Sequence, residues 1–441
     1  MNAPKPVARQ GRVSLWRYLK LFRQDILSAQ PERLYRAKMA EFRAPFLRSV
    51  LVNDPEVVRQ VLVERPNAFP KSGRVTAGLR RLLGNSVFVT NGETWARQRR
   101  IVNQCFDAQE LKRVFPMMVG AADAAARRLP IGTCDVEPHT SRAAADVIFR
   151  TLFSTPIDDD TSKAVYDAFR DYAQAQPLVT PAAFFRNLPA FHRTRARRAA
   201  REVRQTIGRL VSKRAAAIAD GQAPEDLGTR LMTATDPETG LTLGPKDTLD
   251  QVSIMFLAGH ETSAAALSWA LYLVAGDNGL QTKIATEWRA FLKDGTFSGL
   301  SKMPTARDVF RETLRLYPPV PMMVRETTRG ETFRKRNLPK GTQIVLSPWH
   351  LHRHEEYWPD PDSFDPSRWS HPPKRDHFMP FSAGPRVCPG ASFAMAEGVV
   401  LLSAIVARHK IARREEPIPV AHLTTRSKDG IRLAFSPRDG A

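Results

Sequence analysis

The chain has 441 residues, 42% of them hydrophobic and 25% charged, which is the composition of an ordinary globular protein with ample material for a core. Disorder, a collagen-like repeat and a disulfide scaffold are excluded. The three cysteines, Cys105, Cys134 and Cys388, lie too far apart for a CxxC metal site and fit a reducing, cytoplasmic setting. The net charge of +21 is concentrated in two places, residues 1–50 with eleven basic against three acidic side chains and residues 193–214 with nine against one. Nucleic acid, anionic lipid and an acidic protein are therefore the partner classes to weigh.

Residues 1–30 contain no charge-free apolar run, so no secretory signal is expected. Leu15, Trp16, Tyr18, Leu19, Phe22 and Ile26 recur at helical spacing with Arg17, Lys20 and Arg23 between them. Such a stripe docks on its own domain or makes a weak membrane-surface contact. Phe46 to Val52 alternates like a strand and runs into a helix near Asp54. Helices dominate from Glu93 to Ile218, with a proline-containing break at Gln176 to Pro189.

The basic helix from Arg193 to Arg214 has no recognition motif and no interleaved aromatics, so a solvated face is expected there and not a nucleic-acid footprint. Val252 to Ala275 is apolar enough to suggest a membrane span, but His260 and Glu261 would be costly near a bilayer centre. A long buried helix over about Leu249–Ala275, after Gly244-Pro245, is the better expectation. Another helix, about Thr305–Leu316, stops at Pro318, Pro319 and Pro321. Short strands are expected at Val324–Thr327 and Thr342–Ser347, and a last helix at about Gly390–His409. There is no repeat and no flexible linker. The chain reads as one domain spanning 1–441, mainly α with a small β portion.

The chemistry concentrates on Phe381-Ser382-Ala383-Gly384-Pro385-Arg386-Val387-Cys388-Pro389-Gly390. Gly384 and Gly390 allow backbone amides to turn towards the sulfur, and the following helix N-terminus and Arg386 both favour an anion there. The cysteine could be inert, a nucleophile without an evident catalytic histidine, or a single thiolate ligand to an iron. Elsewhere, Trp95 and Arg99 share one helix face, as do Glu312 and Arg315. Gly259 thins the long helix where a ligand must approach, and Glu261-Thr262 puts an acid beside an alcohol in an apolar run.

The Cys388 decapeptide resembles the haem-binding loop of the cytochrome P450 superfamily, the haem-thiolate monooxygenases, and the chain looks like a soluble, bacterial-type member. The other matches follow in the family's order and extend the resemblance from Trp95 to Gly390. The resemblance implies the cytochrome P450 fold, with a long central helix over the haem and a Cys-ligand loop beneath it. It implies haem b (iron protoporphyrin IX) with Cys388 as axial thiolate and metal ligand, within a loop that includes Phe381, Gly384 and Gly390. Arg99, with Trp95 beside it, Arg325 and Arg386 would pair with the haem propionates. Glu261 and Thr262 would deliver protons to dioxygen. Glu312, Arg315 and Arg368 would form a buried structural triad, with Ser367 and Trp369 departing from the family's commoner Glu and Phe. Val320, Met322 and Met323 would border the cavity, implying a hydrophobic substrate.

The activity implied is insertion of one oxygen atom from O2 into a hydrophobic small molecule. The chain ends about fifty residues after Cys388. Electrons are therefore expected from a separate ferredoxin or flavodoxin with its NAD(P)H reductase, docking where Arg97 and Arg100 face solvent. Two rivals were weighed: a peroxide-using or non-oxygenating member of the same family, and a basic membrane-surface or nucleic-acid-binding protein. The intact Glu261-Thr262 pair disfavours the former and the motif set the latter.

Overall fold

A computed structural model describes residues 2–438 except 12, 45–46, 159, 161–163, 165, 169–193 and 422. In chain order the helices are α1 (Leu15–Gln24), α2 (Pro55–Arg59), α3 (Gly73–Leu83), α4 (Gly92–Gln104), α5 (Ala108–Arg128), α6 (Glu137–Phe153), α7 (Thr194–Ala219), α8 (Leu227–Thr233), α9 (Pro245–Val274), α10 (Asn278–Phe291), α11 (Pro304–Leu316), α12 (Pro348–Leu351) and α13 (Ala391–Arg408). The strands are β1 (Met39–Ala44), β2 (Leu47–Val52), β3 (Gly132–Asp135), β4 (Met323–Glu326), β5 (Glu331–Phe333), β6 (Arg336–Leu338), β7 (Gln343–Leu346), β8 (His409–Arg413), β9 (Pro419–Ala421), β10 (Thr425–Ser427) and β11 (Arg432–Pro437). The expected mainly helical architecture with a small strand portion is what is found.

The central element is α9, which starts four residues before its expected position because Pro245 sits in its first turn, where a missing amide N–H costs nothing. It packs along α6 and also meets α11 and α13. From Val252 to Val274 it is buried nearly all round, so it lacks an amphipathic stripe. Helix α13 is long and apolar enough to cross a membrane, yet 72% of it is buried against α5, α10 and α11. Gly398 permits that packing, since a Cβ there would lie 2.0 Å from the Phe310 ring.

The strands build a separate wall. The largest sheet has the order β1-β2-β7-β4, with β2 parallel to β7 in the register Ser49↔Gln343 to Val52↔Leu346. Val50, Val52, Ile344 and Leu346 point into a second small core with Leu62 and Phe69. Strand β1 was missed because Met39–Ala44 carries Glu41 and Arg43 and lacks a β-branched run. The proline break at 176–189 and Phe46 lie outside the described residues.

The basic helix α7 is only partly the solvated face expected. Arg197, Arg198 and Arg201 are exposed. Arg204, by contrast, donates to Leu82 O at 2.8 Å and to Asp250 at 2.7 Å. Arg214 is buried, pairing with Asp226 and donating to Phe153 O at 3.0 Å. Removing one partner of a buried pair strands the other charge. Arg214→Ala is therefore expected to cost about 3–5 kcal/mol in urea unfolding, and Arg201→Ala to stay within about 0.5 kcal/mol.

Candidate active site

The Cys388 loop is fixed before any ligand is considered. Gly384 has φ 67°, and a Cβ there would lie 2.0 Å from Leu62 O, so both conformation and space demand glycine. The Cys388 amide donates to Phe381 O at 2.9 Å, closing the loop. Phe381 leans on the main core, and Gly390 caps α13. The exposed surface of Cys388 opens onto a cavity of about 1220 Å³, not onto the outside of the protein. Burial raises the thiol pKa, and the Gly390 amide and Arg99 pull it down. This corrects the expectation for Arg386: its guanidinium instead donates to Pro66 O at 2.7 Å and lies 5.0 Å from the Trp95 ring centroid.

Arg99, Arg325 and Arg386 come together on one side of this cavity, joined by Lys71, which no sequence pattern singled out. Lys71 donates to Val87 O at 2.6 Å and Thr90 O at 3.1 Å and sits over Trp95. Burial, then Arg386, Arg325 and Arg99, lowers its pKa to about 7. Burial and Arg386 lower Arg325 to about 10. Among the described residues no acidic side chain pairs with any of the four, and Nε of Arg325 and of Arg386 is buried without a partner. Such a cluster is stable only with an anion beside it. A group with two carboxylates fits the charge, and the free Cys388 Sγ on the same cavity fits an iron within that group.

Across α9 the polar groups face four ways. The Thr262 hydroxyl donates to Ala258 O at 2.6 Å and lines the cavity. Glu261 turns to the C-terminal hairpin, where Arg426 pairs with it at 2.7 Å and Thr424 donates at 3.5 Å. Burial would raise the Glu261 carboxyl, but Arg426 and His260 hold it below its ordinary value. His260 meets Ser141 at 2.7 Å. Gly259 lines the cavity, and a Cβ there would also meet the tip of the Ile148 side chain of α6 at 2.3 Å, so the glycine serves helix packing as well. Ser263 donates at 2.6 Å to Glu397 of α13, whose other oxygen is buried without a partner. Burial pushes the Glu397 carboxyl up to about 8.

Glu312, Arg315 and Arg368 meet as one buried cluster. Arg315 grips Glu312 with two bonds of 2.9 and 2.8 Å, and Arg368 adds a third at 3.0 Å. Trp369, where the family pattern is broken, donates its indole N–H to Glu312 Oε2 at 3.2 Å and so joins the cluster. Val320, Met322 and Met323 line the cavity as expected. Arg97 and Arg100 do not stand free: Arg97 pairs with Asp247 at 2.9 Å, and Arg100 with Asp236 at 2.5 Å and Glu238 at 3.0 Å. Of the residues missed, Glu397 left a trace, as the lone acid in an apolar helix; Lys71 and Arg426 left none.

The Cytochrome P450 family model matches residues 27–431. The chain is 31% identical to the cyclooctat-9-en-7-ol 5-monooxygenase of Streptomyces melanosporofaciens, covering 95% of this chain and 90% of that protein. It is 30% identical to the cyclooctatin synthase of the same organism (83% and 80% covered) and 30% identical to cytochrome P450 4A24 of Sus scrofa (87% and 81%).

Glu397 gives a pH test. An unfolded glutamate loses its proton near 4.5, whereas the folded one keeps it to about 8. The native state thus binds the extra proton between these values, and stability falls as pH rises, by up to ~1.4 kcal/mol per unit. Glu397→Gln is expected to flatten this slope and to raise the melting temperature more at pH 8 than at pH 5.

Proposed function

Because the chain belongs to the cytochrome P450 family, and is a haem-thiolate monooxygenase that takes O2, electrons from a redox partner and a substrate, we propose that its substrate is a bulky apolar molecule, a fused-ring terpenoid alcohol being the first class to test. The supporting observation is the cavity: Cys388 and Thr262 open onto one space walled by Leu79, Phe88, Ile254, Phe310, Val320 and Met322. An apolar wall of this kind selects by shape and burial. The relative named for cyclooctat-9-en-7-ol supports the class.

When bound, haem supplies the activation of dioxygen and the oxidation itself. Cys388 Sγ would hold its iron, and Arg99, Arg325, Arg386 and Lys71 its two carboxylates. Thr262, with its hydroxyl at the cavity edge, positions a proton beside dioxygen, and Glu261 replaces that proton from the hairpin side. The apolar wall excludes bulk water, so protons arrive through these two side chains. Electrons come from a separate small ferredoxin or flavodoxin with an NAD(P)H reductase. Arg97 and Arg100, the residues expected at the docking surface, are partly neutralised by Asp247, Asp236 and Glu238, so they steer such a partner less than free charges would. The three free cysteines support a cytoplasmic setting.

Titrating a panel of terpenoids, steroids, fatty acids and aromatic polyketides while following the haem spin state tests the substrate class. A response from fatty acids alone would displace the terpenoid reading. Cys388→Ser is expected to abolish oxygenation, because a hydroxyl supplies no thiolate at neutral pH; its reduced carbon-monoxide spectrum should lose the red-shifted band. Thr262→Ala is expected to bind substrate normally yet lower the product formed per NAD(P)H several-fold, the remainder appearing as peroxide.

A further inference from the structure

The β9–β10 hairpin runs from the N-terminal segment to the acid on α9 and is fastened along the way. Ile26 N donates to Ala421 O at 3.1 Å, and Ala421 N to Asp25 Oδ1 at 2.8 Å. Further on, the Thr425 amide and hydroxyl donate to Pro319 O at 3.0 Å and Pro318 O at 2.7 Å, and its carbonyl accepts from Trp269 Nε1 at 3.2 Å. Between these anchors Leu423 and Thr424 line the cavity, Leu423 being 50% exposed. Arg426 follows, paired with Glu261 at 2.7 Å. The side chain that holds the acid therefore sits on the same short strand pair that the substrate would press against.

We propose that Arg426 is a positioning residue for proton delivery, fixing Glu261 as a hairpin-facing carboxylate, and that the fit of the substrate against Leu423 sets how firmly it does so. The proposal rests on the reading of Glu261 as the relay acid. The groups that bear on the pair are His260 on α9, Glu137 on α6 and Tyr166. Burial keeps His260 below its ordinary pKa, and Glu137 is held above its own, chiefly by burial. Arg426 is thus the positive charge that keeps Glu261 ionised near neutrality. Without it, only His260 and the Thr424 hydroxyl oppose burial and Glu261 retains its proton to higher pH, so the relay would recharge in a different pH range.

The test uses the full-length haem-loaded protein with a surrogate reductase, and dodecanoic acid and the terpene alcohol cedrol as probes. Arg426→Gln is expected to keep haem content, the carbon-monoxide spectrum and probe affinity. It should lower product per NAD(P)H several-fold and move the pH profile of that ratio upward. Arg426→Lys, which keeps the charge but has a shorter reach, should shift both in the same direction by less. Leu423→Ala should lower the ratio more for cedrol than for dodecanoic acid. An unchanged ratio and pH profile in Arg426→Gln overturns the proposal; if that variant fails to load haem, an unchanged profile in Arg426→Lys does so. Glu261→Gln separates the two readings. If it too is silent, proton relay by Glu261 falls; if it alters the ratio while the Arg426 variants do not, only the role of Arg426 falls.

Discussion

The fully buried Glu312 carboxylate is where three parts of the chain are tied together. Arg315 comes from the same helix, Arg368 and Trp369 from the turn at Pro366–Ser370, and the Asp365 amide from just before that turn. Arg315 then uses its remaining N–H groups on the carbonyls of His352, Pro361 and Ser363. A buried ion pair of this kind does not owe its place to net stability, because the desolvation cost is large. What it supplies is a unique arrangement: the Glu312 carboxylate accepts five hydrogen bonds and every Arg315 N–H is used, so α11 and the segment leading to the Cys388 loop have one relative placement.

From that fixed base the cavity is organised by charge. One side collects the basic side chains of Arg99, Arg325, Arg386 and Lys71 with no carboxylate among them in the described residues, the other two carboxylates in contrasting states. Glu261 beside Arg426 is held ionised, and Glu397 beside Ser263 is held protonated. The two acids reach α9 at neighbouring positions, Glu261 on the helix and Glu397 through Ser263, yet environment separates their proton affinities. An anionic cofactor and a supply of protons thus belong to different sides of one space.

What could be read from the residues alone followed from local geometry. Trp95 with Arg99, and Glu312 with Arg315, are spaced so that a helix must put each pair on one face. The Cys388 loop carries its glycines and proline next to the sulfur. Arg368 could be placed only by its family pattern. What escaped was fixed by contacts between distant segments. Lys71 owes its depressed pKa to burial and then to Arg386, Arg325 and Arg99, and Arg426 reaches Glu261 from 165 residues away. Gly259 has a second use that the sequence did not show, its packing against the Ile148 side chain of α6. Strand β1 escaped for another reason, since its pairing with β2 overrides a weak local propensity.

The two ends of the chain meet across the finished cavity. The Ala3 amide donates to Asp362 O, Tyr317 donates to Pro4 O, Asp25 and Ile26 hold β9, and β11 pairs with β3. During synthesis Asp25 and Ile26 emerge roughly four hundred residues before their partner Ala421. The nascent protein must therefore carry an unclosed, apolar cleft until the last strands leave the ribosome, a long interval in which such a surface invites aggregation. Closure of the wall is for the same reason a late event, and a chain cut short before Arg432 loses β11, the strand that joins β3 to β8.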